Sequence, residues 1–298
     1  MDQNKRPLLV IGANGQIGRA LMRNLGESAL GLTRATVDLS RPAALLSLLE
    51  KINPRAVINA AAYTQVDRAE EEEELAYTVN AVAPGIMACW CAEQDVPLVH
   101  YSTDYVYSGY GTDPWRENLL PAPKSAYGRT KSSGDIAVAT ACGKFLILRT
   151  SWVYDSDGKN FLNTILRLAQ EQEVLRVVAD QFGAPSYAPD LGDATLSILA
   201  KAQSLAKFPR GIYHLCNSGV TNWHQFATLI ISKMRERGRQ FKAHTITAIT
   251  TCDYPTIARR PLNSRLDSTK LEQTFGIQLP SWEDALERCL TNKFGNYP

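Results

Sequence analysis

Four apolar residues, Leu8-Leu9-Val10-Ile11, run straight into Gly12-Ala13-Asn14-Gly15-Gln16-Ile17-Gly18, and that turn leads into a helical pattern over residues 19–25. Strand, glycine turn and helix, in that order, form the unit that binds a dinucleotide in a doubly wound α/β sheet. Gly12 permits the tight turn. Gly15 lets backbone N–H groups approach a pyrophosphate at the helix N-terminus, and Gly18 lets the helix lie close to its strand. Asn14, Gln16 and Ile17 fill the positions between the glycines and belong to the same binding turn. The spacing is GxxGxxG rather than the commoner GxGxxG. The bland alternative is a glycine-rich turn with no ligand.

The rhythm continues downstream. A second strand is expected over residues 29–32, ending in Thr33-Arg34. An NAD-specific site normally ends this strand in an acid that holds the ribose hydroxyls. An Arg can instead pair with a 2′-phosphate, so the sequence favours NADPH, with NADH as a further possibility. The alternative is that Arg34 is merely exposed. Asp38 and Leu39 follow as adenine-edge contacts. Residues 40–51 read as a helix with Ser40 as N-cap and Pro42 in the first turn. The stretch 56–62, apolar nearly throughout, reads as a strand covered on both faces. Its small end, Ala60-Ala61-Ala62, suits the close passage of a cofactor, with Tyr63, Thr64 and Val66 beyond it on the nicotinamide side. Five glutamates at 70–74 read as the solvated start of a helix reaching about residue 94. Asn80 within it is a poor helix former, and is either bonded to backbone near the site or an ordinary surface residue.

The candidate chemistry sits on the next strand and helix. Residues 98–104 read as a strand ending in Ser102-Thr103-Asp104. A hydroxyl at that carboxyl end could hold a substrate carbonyl as oxyanion donors do. Tyr127 and Lys131 are four apart, hence on one face if helical. An ammonium beside a phenol favours phenolate, which would make Tyr127 an acid/base near neutral pH. The bland reading is a helix that happens to carry both residues.

Beyond these, residues 145–150 and 173–179 read as strands, 160–172 and 189–203 as helices, 211–216 as a strand, and 222–237 as an amphipathic helix ended by Gly238. The chain after residue 241 reads as irregular until a last helix at 281–293. The expected fold is α/β, a Rossmann-type doubly wound parallel sheet with a smaller C-terminal substrate-binding lobe. Residues 1–150 form the NAD(P)-binding part. Residues 151–298 are mainly the C-terminal lobe, with segments near 174–180 and 190–217 returning to the sheet.

Composition excludes more than it suggests. A net charge of +2 with mixed signs argues against nucleic acid as a partner. No apolar run is expected to reach the length of a membrane span, and the short polar stretch before residue 8 does not read as a signal peptide, so a cytoplasmic protein is expected. The six cysteines form no CxxC pair and the four histidines do not cluster. They read as small buried hydrophobes in a reducing compartment and as core or strand-end residues, and no metal site is expected.

The ordered set of motifs resembles the extended short-chain dehydrogenase/reductases and, within them, the dTDP-4-dehydrorhamnose reductase family. The matching pieces are GANGQIG (12–18), VDL (37–39), INAAAYTQVDRAE (58–70), Val79-Asn80-Ala81, STDYVY (102–107), YGRTK (127–131), LRTSWVY (148–154), KNF (159–161), DQFGAPS (180–186), RRPLNSRLD (259–267) and LEQTFGIQLPSWEDAL (271–286). The resemblance implies a triad of Thr103, Tyr127 and Lys131. Tyr127 protonates the 4-keto oxygen as hydride arrives, Lys131 lowers the phenol's pKa and binds the nicotinamide ribose, and Thr103 holds the keto oxygen. It also implies substrate contacts from Val66, Asp104, Tyr105, Trp152 and Asn160, with Arg260 on the diphosphate. Some members of the family dimerise through magnesium held by glutamates; the corresponding places here hold Ala20, Pro189 and Asn292, with Asp190 as the nearest carboxylate. A monomer or a metal-independent dimer is therefore expected.

Three readings stand at this point. The first is an NADPH-dependent reductase of dTDP-6-deoxy-L-lyxo-4-hexulose, giving the rhamnose configuration. The second is a reductase of the same or a related nucleotide sugar giving another configuration, such as 6-deoxy-L-talose. The third is a non-catalytic regulatory subunit, against which the intact Thr103, Tyr127 and Lys131 argue.

Overall fold

Residues of the first strand point alternately to two faces, and helices cover both. The computed structural model describes residues 6–141 and 143–295, so Cys142 lies outside the described residues. In chain order the elements are β1 (Leu8–Ile11), α1 (Gln16–Leu25), β2 (Ala29–Leu32), α2 (Leu45–Ile52), β3 (Ala56–Asn59), α3 (Glu73–Tyr77), α4 (Ala83–Glu93), β4 (Leu98–Thr103), α5 (Ala126–Ala141) and β5 (Phe145–Thr150). There follow β6 (Val153–Tyr154), α6 (Phe161–Glu171), β7 (Val174–Val178), β8 (Phe182–Gly183), β9 (Ser186–Tyr187), α7 (Ala188–Ser204) and β10 (Gly211–His214). The last are β11 (Thr221–Asn222), α8 (Trp223–Glu236), β12 (Thr245–Ile249), α9 (Thr269–Phe275) and α10 (Trp282–Phe294).

Six strands form one parallel sheet in the order β10-β5-β4-β3-β1-β2. Leu8 of β1 pairs with Ala29 on one side and Ala56 on the other, so the chain parts to opposite edges at β1. The glycine turn leaves β1 at this switch point, where a crevice opens. Leu8, Val10, Ile58, Val99 and Leu148 face Leu21 of α1, Ile198 of α7 and Phe275 of α9. Leu9, Ile11, Val57, Leu98 and Ile147 face Leu49 of α2, Met87 of α4 and Val138 of α5. A third core joins Leu166 of α6, Leu175 of β7, Phe226 and Ile230 of α8, and Trp282 and Leu286 of α10.

Several expectations are corrected. The segment near 174–180 does not return to the central sheet. There β7 pairs in parallel with β12, Leu175 against Ile246, in a separate two-stranded sheet. Val174 and Arg176 are exposed while Leu175 and Val177 are buried, the pattern of a strand covered on one face only. β12 is itself a strand where the sequence reads as irregular, and α9 is a further helix in that stretch. By contrast β10 lies beside β5, with Ile212 against Ile147.

Residues 40–51 are not one helix capped by Ser40. A 3-10 turn at Pro42–Ala44 precedes α2. The Ser40 hydroxyl and N–H both donate to Asp38 Oδ1, at 2.8 and 3.0 Å.

The helix expected over 70–94 starts at Glu73 and is interrupted by a π turn at Thr78–Val82. Pro84 has no N–H to give to the Asn80 carbonyl, so the ladder widens there. The glutamates before it are not simply solvated. Glu70 accepts from the Ala126 N–H at 2.8 Å, Glu72 from the Tyr63 hydroxyl at 2.5 Å, and Glu73 from Arg129 Nε at 2.8 Å. They tie this segment to the start of α5. The run Glu73–Glu93, mean hydropathy 1.3, is long and apolar enough to cross a membrane, contrary to expectation; half of it is buried inside the fold as a core helix.

Candidate active site

α5 carries the central residues. Its first turn is held by the Ser125 hydroxyl, which accepts from the Gly128 N–H at 3.1 Å, and by Glu70 on Ala126. Tyr127 and Lys131 then fall on one helical face and line a cavity of about 530 Å³ along the carboxyl ends of the central strands. Gly12, Asn14, Gly15, Gln16, Ile17, Arg34, Asp38, Leu39, Ala60, Ala61, Ala62 and Tyr63 line the same cavity. The turn is tight: Gly12 has φ +86°, and a Cβ there would come 2.7 Å from the Ala61 nitrogen. Gly18 lies beneath the turn rather than on the cavity wall, and a Cβ on it would meet the Gly12 carbonyl oxygen at 2.0 Å. Arg34 is 79% exposed and reaches Asp38 at 3.8 Å.

Asn80, placed by the π turn, orders the rim. Its Oδ1 accepts from the Tyr63 N–H at 2.8 Å and its Nδ2 donates to the Thr130 hydroxyl at 3.1 Å. It is the backbone-bonding residue the sequence suggests, and it joins the β3 loop to α5.

Thr103 ends β4, and its hydroxyl donates to Asp104 Oδ1 at 3.0 Å and accepts from the Tyr105 N–H at 3.2 Å. The expected lowering of the Tyr127 pKa does not occur. Burial pushes the phenol well above its ordinary value, against the lowering effect of the Thr103 hydroxyl, and the nearby Asp104 charge adds to the rise. Lys131 does not offset this, because its Nζ turns inward. It donates to the Tyr101 carbonyl at 2.6 Å and lies 3.1 Å from His100 Nε2. Burial lowers the Lys131 ammonium to about 8, opposed by the Asp135 charge. A phenol with a raised pKa keeps its proton at neutral pH, which suits a proton donor.

A second cavity of about 200 Å³ is lined by Tyr105, Tyr110, Lys124, Arg259 and Arg260. Tyr105 meets Tyr127 edge to face at 5.4 Å, so these two rings stand between the cavities. Arg260 donates to the Tyr105 hydroxyl at 3.3 Å and is paired with Asp67 at 2.5 Å. Asp104 is buried. Burial lifts its carboxyl to about 6, against the hydrogen bond from Thr103.

Of the residues assigned to the substrate, Tyr105 and Arg260 line the smaller cavity, while Val66, Thr103, Asp104, Trp152 and Asn160 line neither. Asn160 caps α6, accepting from the Asn163 N–H at 3.0 Å, and its Nδ2 reaches Gln16 Oε1 at 3.1 Å, on the glycine-turn side. Trp152 has φ +50° and stacks on Trp223 at 3.8 Å. Neither Trp152 nor Val66 lines either cavity.

The structure also brings in residues the sequence reading passed over. Lys159 and Arg19 line the large cavity, and Asp67 holds Arg260. Ser102 of β4, opposite Arg149, and Thr150 of β5, opposite Thr103, line the large cavity, and their hydroxyls are buried with no hydrogen-bond partner among the described residues. Two orphaned hydroxyls on a cavity wall mark a place for a polar ligand group. His100 and Ser102 share a face of β4, which was the available signal for both.

Among the described residues no group of three His, Cys, Asp or Glu comes together. Ala20 is buried against Gly192 of α7, and Asn292 donates to the Tyr187 hydroxyl at 2.9 Å. Both Asp190 oxygens are bound by Arg288, at 2.5 and 2.7 Å. Cys91, Cys216 and Cys289 are buried as expected, whereas Cys89 and Cys252 are exposed.

The sequence model of the family described as RmlD substrate binding domain matches residues 6–294. A dTDP-4-dehydrorhamnose reductase of Burkholderia thailandensis is 42% identical over 290 residues, covering 95% of this chain and 97% of that one. A protein of the same name from Escherichia coli K12 is 40% identical over 293 residues, covering 96% and 98%. The crystal structure of dTDP-4-dehydrorhamnose reductase from Bacillus anthracis in complex with NADP has a TM-score of 0.88 and 33% identity, covering 97% of this chain and 99% of that one. With glycine turn, paired Tyr127 and Lys131, and likeness running nearly end to end, the chain belongs to the RmlD substrate binding domain family.

Proposed function

We propose that this protein is an NAD(P)-dependent oxidoreductase that reduces the 4-keto group of dTDP-4-dehydro-L-rhamnose to give dTDP-L-rhamnose. The observation that carries the reading is the place of Tyr127, on the wall of the long cavity with Lys131 and edge to face with Tyr105, which lines a smaller cavity together with two arginines. The glycine turn, which leaves no room for a Cβ at Gly12, and the two orphaned hydroxyls of Ser102 and Thr150 fit a dinucleotide in the large cavity. When bound, its dihydronicotinamide supplies the hydride. Tyr127 gives its phenolic proton to the keto oxygen, Thr103 holds that oxygen, and Lys131 binds the ribose beside them. Rigid placement of α5 by Glu70 and Asn80 keeps donor and acceptor in line.

Arg34, at the open rim with only a loose hold on Asp38, supports NADPH as the preferred cofactor. Tyr105 and Asp104 border the sugar, and Arg260 binds the diphosphate after leaving Asp67. The lobe formed by residues 151–298 covers the nucleotide. The engaged Asp190 carboxylate supports a monomer or a metal-independent dimer, so EDTA should leave the elution volume in size exclusion unchanged. The reading takes the reaction to be cytoplasmic, with neither nucleic acid nor membrane as partner.

The decisive experiment follows NADPH oxidation with dTDP-4-dehydro-L-rhamnose generated in situ, and identifies the product by NMR. Rhamnose configuration supports the reading. Talose configuration moves the protein to another 4-keto sugar reductase, and tight NADPH binding without turnover overturns catalysis on this substrate.

A further inference from the structure

His100 is fully buried in the middle of β4, yet it touches Lys131. Core placement alone does not explain its partners. On its other side Asn59, at the end of β3 and also fully buried, brings Nδ2 to 3.0 Å from His100 Nδ1. The Asn59 orientation is set from outside the pair, because its Oδ1 accepts from the Ala61 N–H at 3.2 Å. Nδ2 therefore faces His100, and being a donor it requires Nδ1 to be the acceptor. A neutral imidazole with Nδ1 as acceptor carries its proton on Nε2. That N–H points at Lys131 Nζ, which also donates to the Tyr101 carbonyl.

The chain of bonds is self-consistent when Lys131 is an amine whose lone pair accepts from Nε2–H. Adding a proton to Lys131 sets N–H against N–H. The conflict is relieved only if the imidazole proton moves to Nδ1 and the Asn59 amide turns over, which takes the acceptor from Ala61, a residue on the cavity wall. The other titratable and charged groups around Lys131 do not change this. Tyr127 is a neutral phenol on its own helix, and the Tyr101 hydroxyl points away to Thr195 of α7. Asp135, on α5, is paired with the buried Arg149 of β5 at 3.0 Å. Burial and the Lys131 charge both hold His100 well below its usual range, so it stays neutral.

We propose that Asn59 and His100 are positioning residues that act through Lys131: Asn59 selects the His100 tautomer that aims an N–H at Nζ, and Lys131 thereby becomes a group that gives up its proton readily. In the reduction, Tyr127 loses its phenolic proton to the substrate oxygen. The Lys131 ammonium then passes one proton to the phenolate, leaving phenol and amine. The amine accepts the Nε2–H hydrogen bond and regains a proton from hydronium at the cleft mouth. One proton enters from solvent for each alcohol formed.

This use of the relay rests on the proposed reduction, but its two primary readouts do not. In the ligand-free full chain, long-range proton–nitrogen NMR of histidine-labelled protein reads the His100 tautomer, with His100→Gln for assignment. At a pH above the Lys131 midpoint, where Lys131 is an amine, the expected state is pyrrole-like Nε2 and pyridine-like Nδ1; the reverse there overturns the proposal. Asn59→Asp presents only acceptors, so it should reverse the tautomer and raise the Lys131 Nζ titration midpoint by about one pH unit. The alkaline limb of the kcat profile should move up with it. An unmoved midpoint in a variant whose melting temperature matches the wild type overturns the proposal. Should Asn59→Asp not fold, the wild-type tautomer still decides. Absence of turnover with tautomer and midpoint as expected would sink the proposed reaction and leave this relay standing.

Discussion

In the proposed reading cofactor preference turns on Arg34, and the surroundings of that side chain set the size of the effect. Its side chain is 79% exposed, and among the described residues it forms one ion pair, with Asp38 at 3.8 Å. Hydrogen bonds from the Ser40 hydroxyl and N–H, and then the Arg34 and Arg41 charges, hold the Asp38 carboxyl below its usual range. An anion therefore stands at the rim where a 2′-phosphate would arrive, and Arg34 is the cation that answers both. Losing one charge-assisted hydrogen bond to phosphate costs about 1.5–3 kcal/mol, or roughly ten- to a hundredfold in affinity. Arg34→Ala should raise the NADPH dissociation constant by that factor while leaving NADH within about twofold. Arg34→Glu should add repulsion and reverse the preference. The melting temperature should barely move, since exposed ion pairs contribute little to stability. Both constants can be read from quenching of protein fluorescence on titration. Equal losses for the two cofactors, or no loss for either, would refute the reasoning.

Tyr127→Phe should remove most turnover and leave NADPH affinity near wild type, as read by single-turnover kinetics and titration; unchanged turnover would end its role as acid. Arg149→Met should destabilise by about 3–5 kcal/mol in urea unfolding, because it strands the buried Asp135, whose Oδ1 already lacks a partner. A loss below about 1 kcal/mol would mean that Asp135 takes up a proton or finds water. Burial raises the Asp104 carboxyl to about 6, so the folded state holds this proton more tightly than the unfolded chain does. The contribution is fully present below about pH 4 and falls by about 3 kcal/mol as pH rises to about 6. Asp104→Asn should remove that fall from the difference between unfolding free energies measured on either side of this window, and a parallel pair of curves would refute it.

The central strands were readable because strands covered on both faces carry continuous apolar runs, as β1 and the first four residues of β5 do. The glycine turn was readable because its steric demands admit few residues. β7 carried the alternation of a one-faced strand, and the apolar reading of it overrode that signal. β12, with Thr245, Ala248 and Thr247 at or near the surface, has too little apolar patterning to stand out before its partner is known. Partners distant in sequence were invisible in another way. Nothing local says that Glu70 will hold residue 126 or that Asp67 will hold Arg260, 193 residues away. The catalytic face was legible from a spacing of four, but the direction of the Lys131 ammonium was not, since it depends on His100 from another element.

If Arg260 binds the diphosphate as proposed, its pairing with Asp67 has a consequence for how substrate enters. The ligand-free protein already carries an anion on that guanidinium, so an arriving diphosphate replaces one negative partner with another instead of filling an empty berth. The dehydration of Arg260 has largely taken place during folding, and the exchange is close to even in that respect. Added salt screens the resident carboxylate and the incoming phosphates alike. The apparent affinity for the nucleotide sugar should therefore vary with ionic strength less steeply than the charge on the ligand alone would suggest.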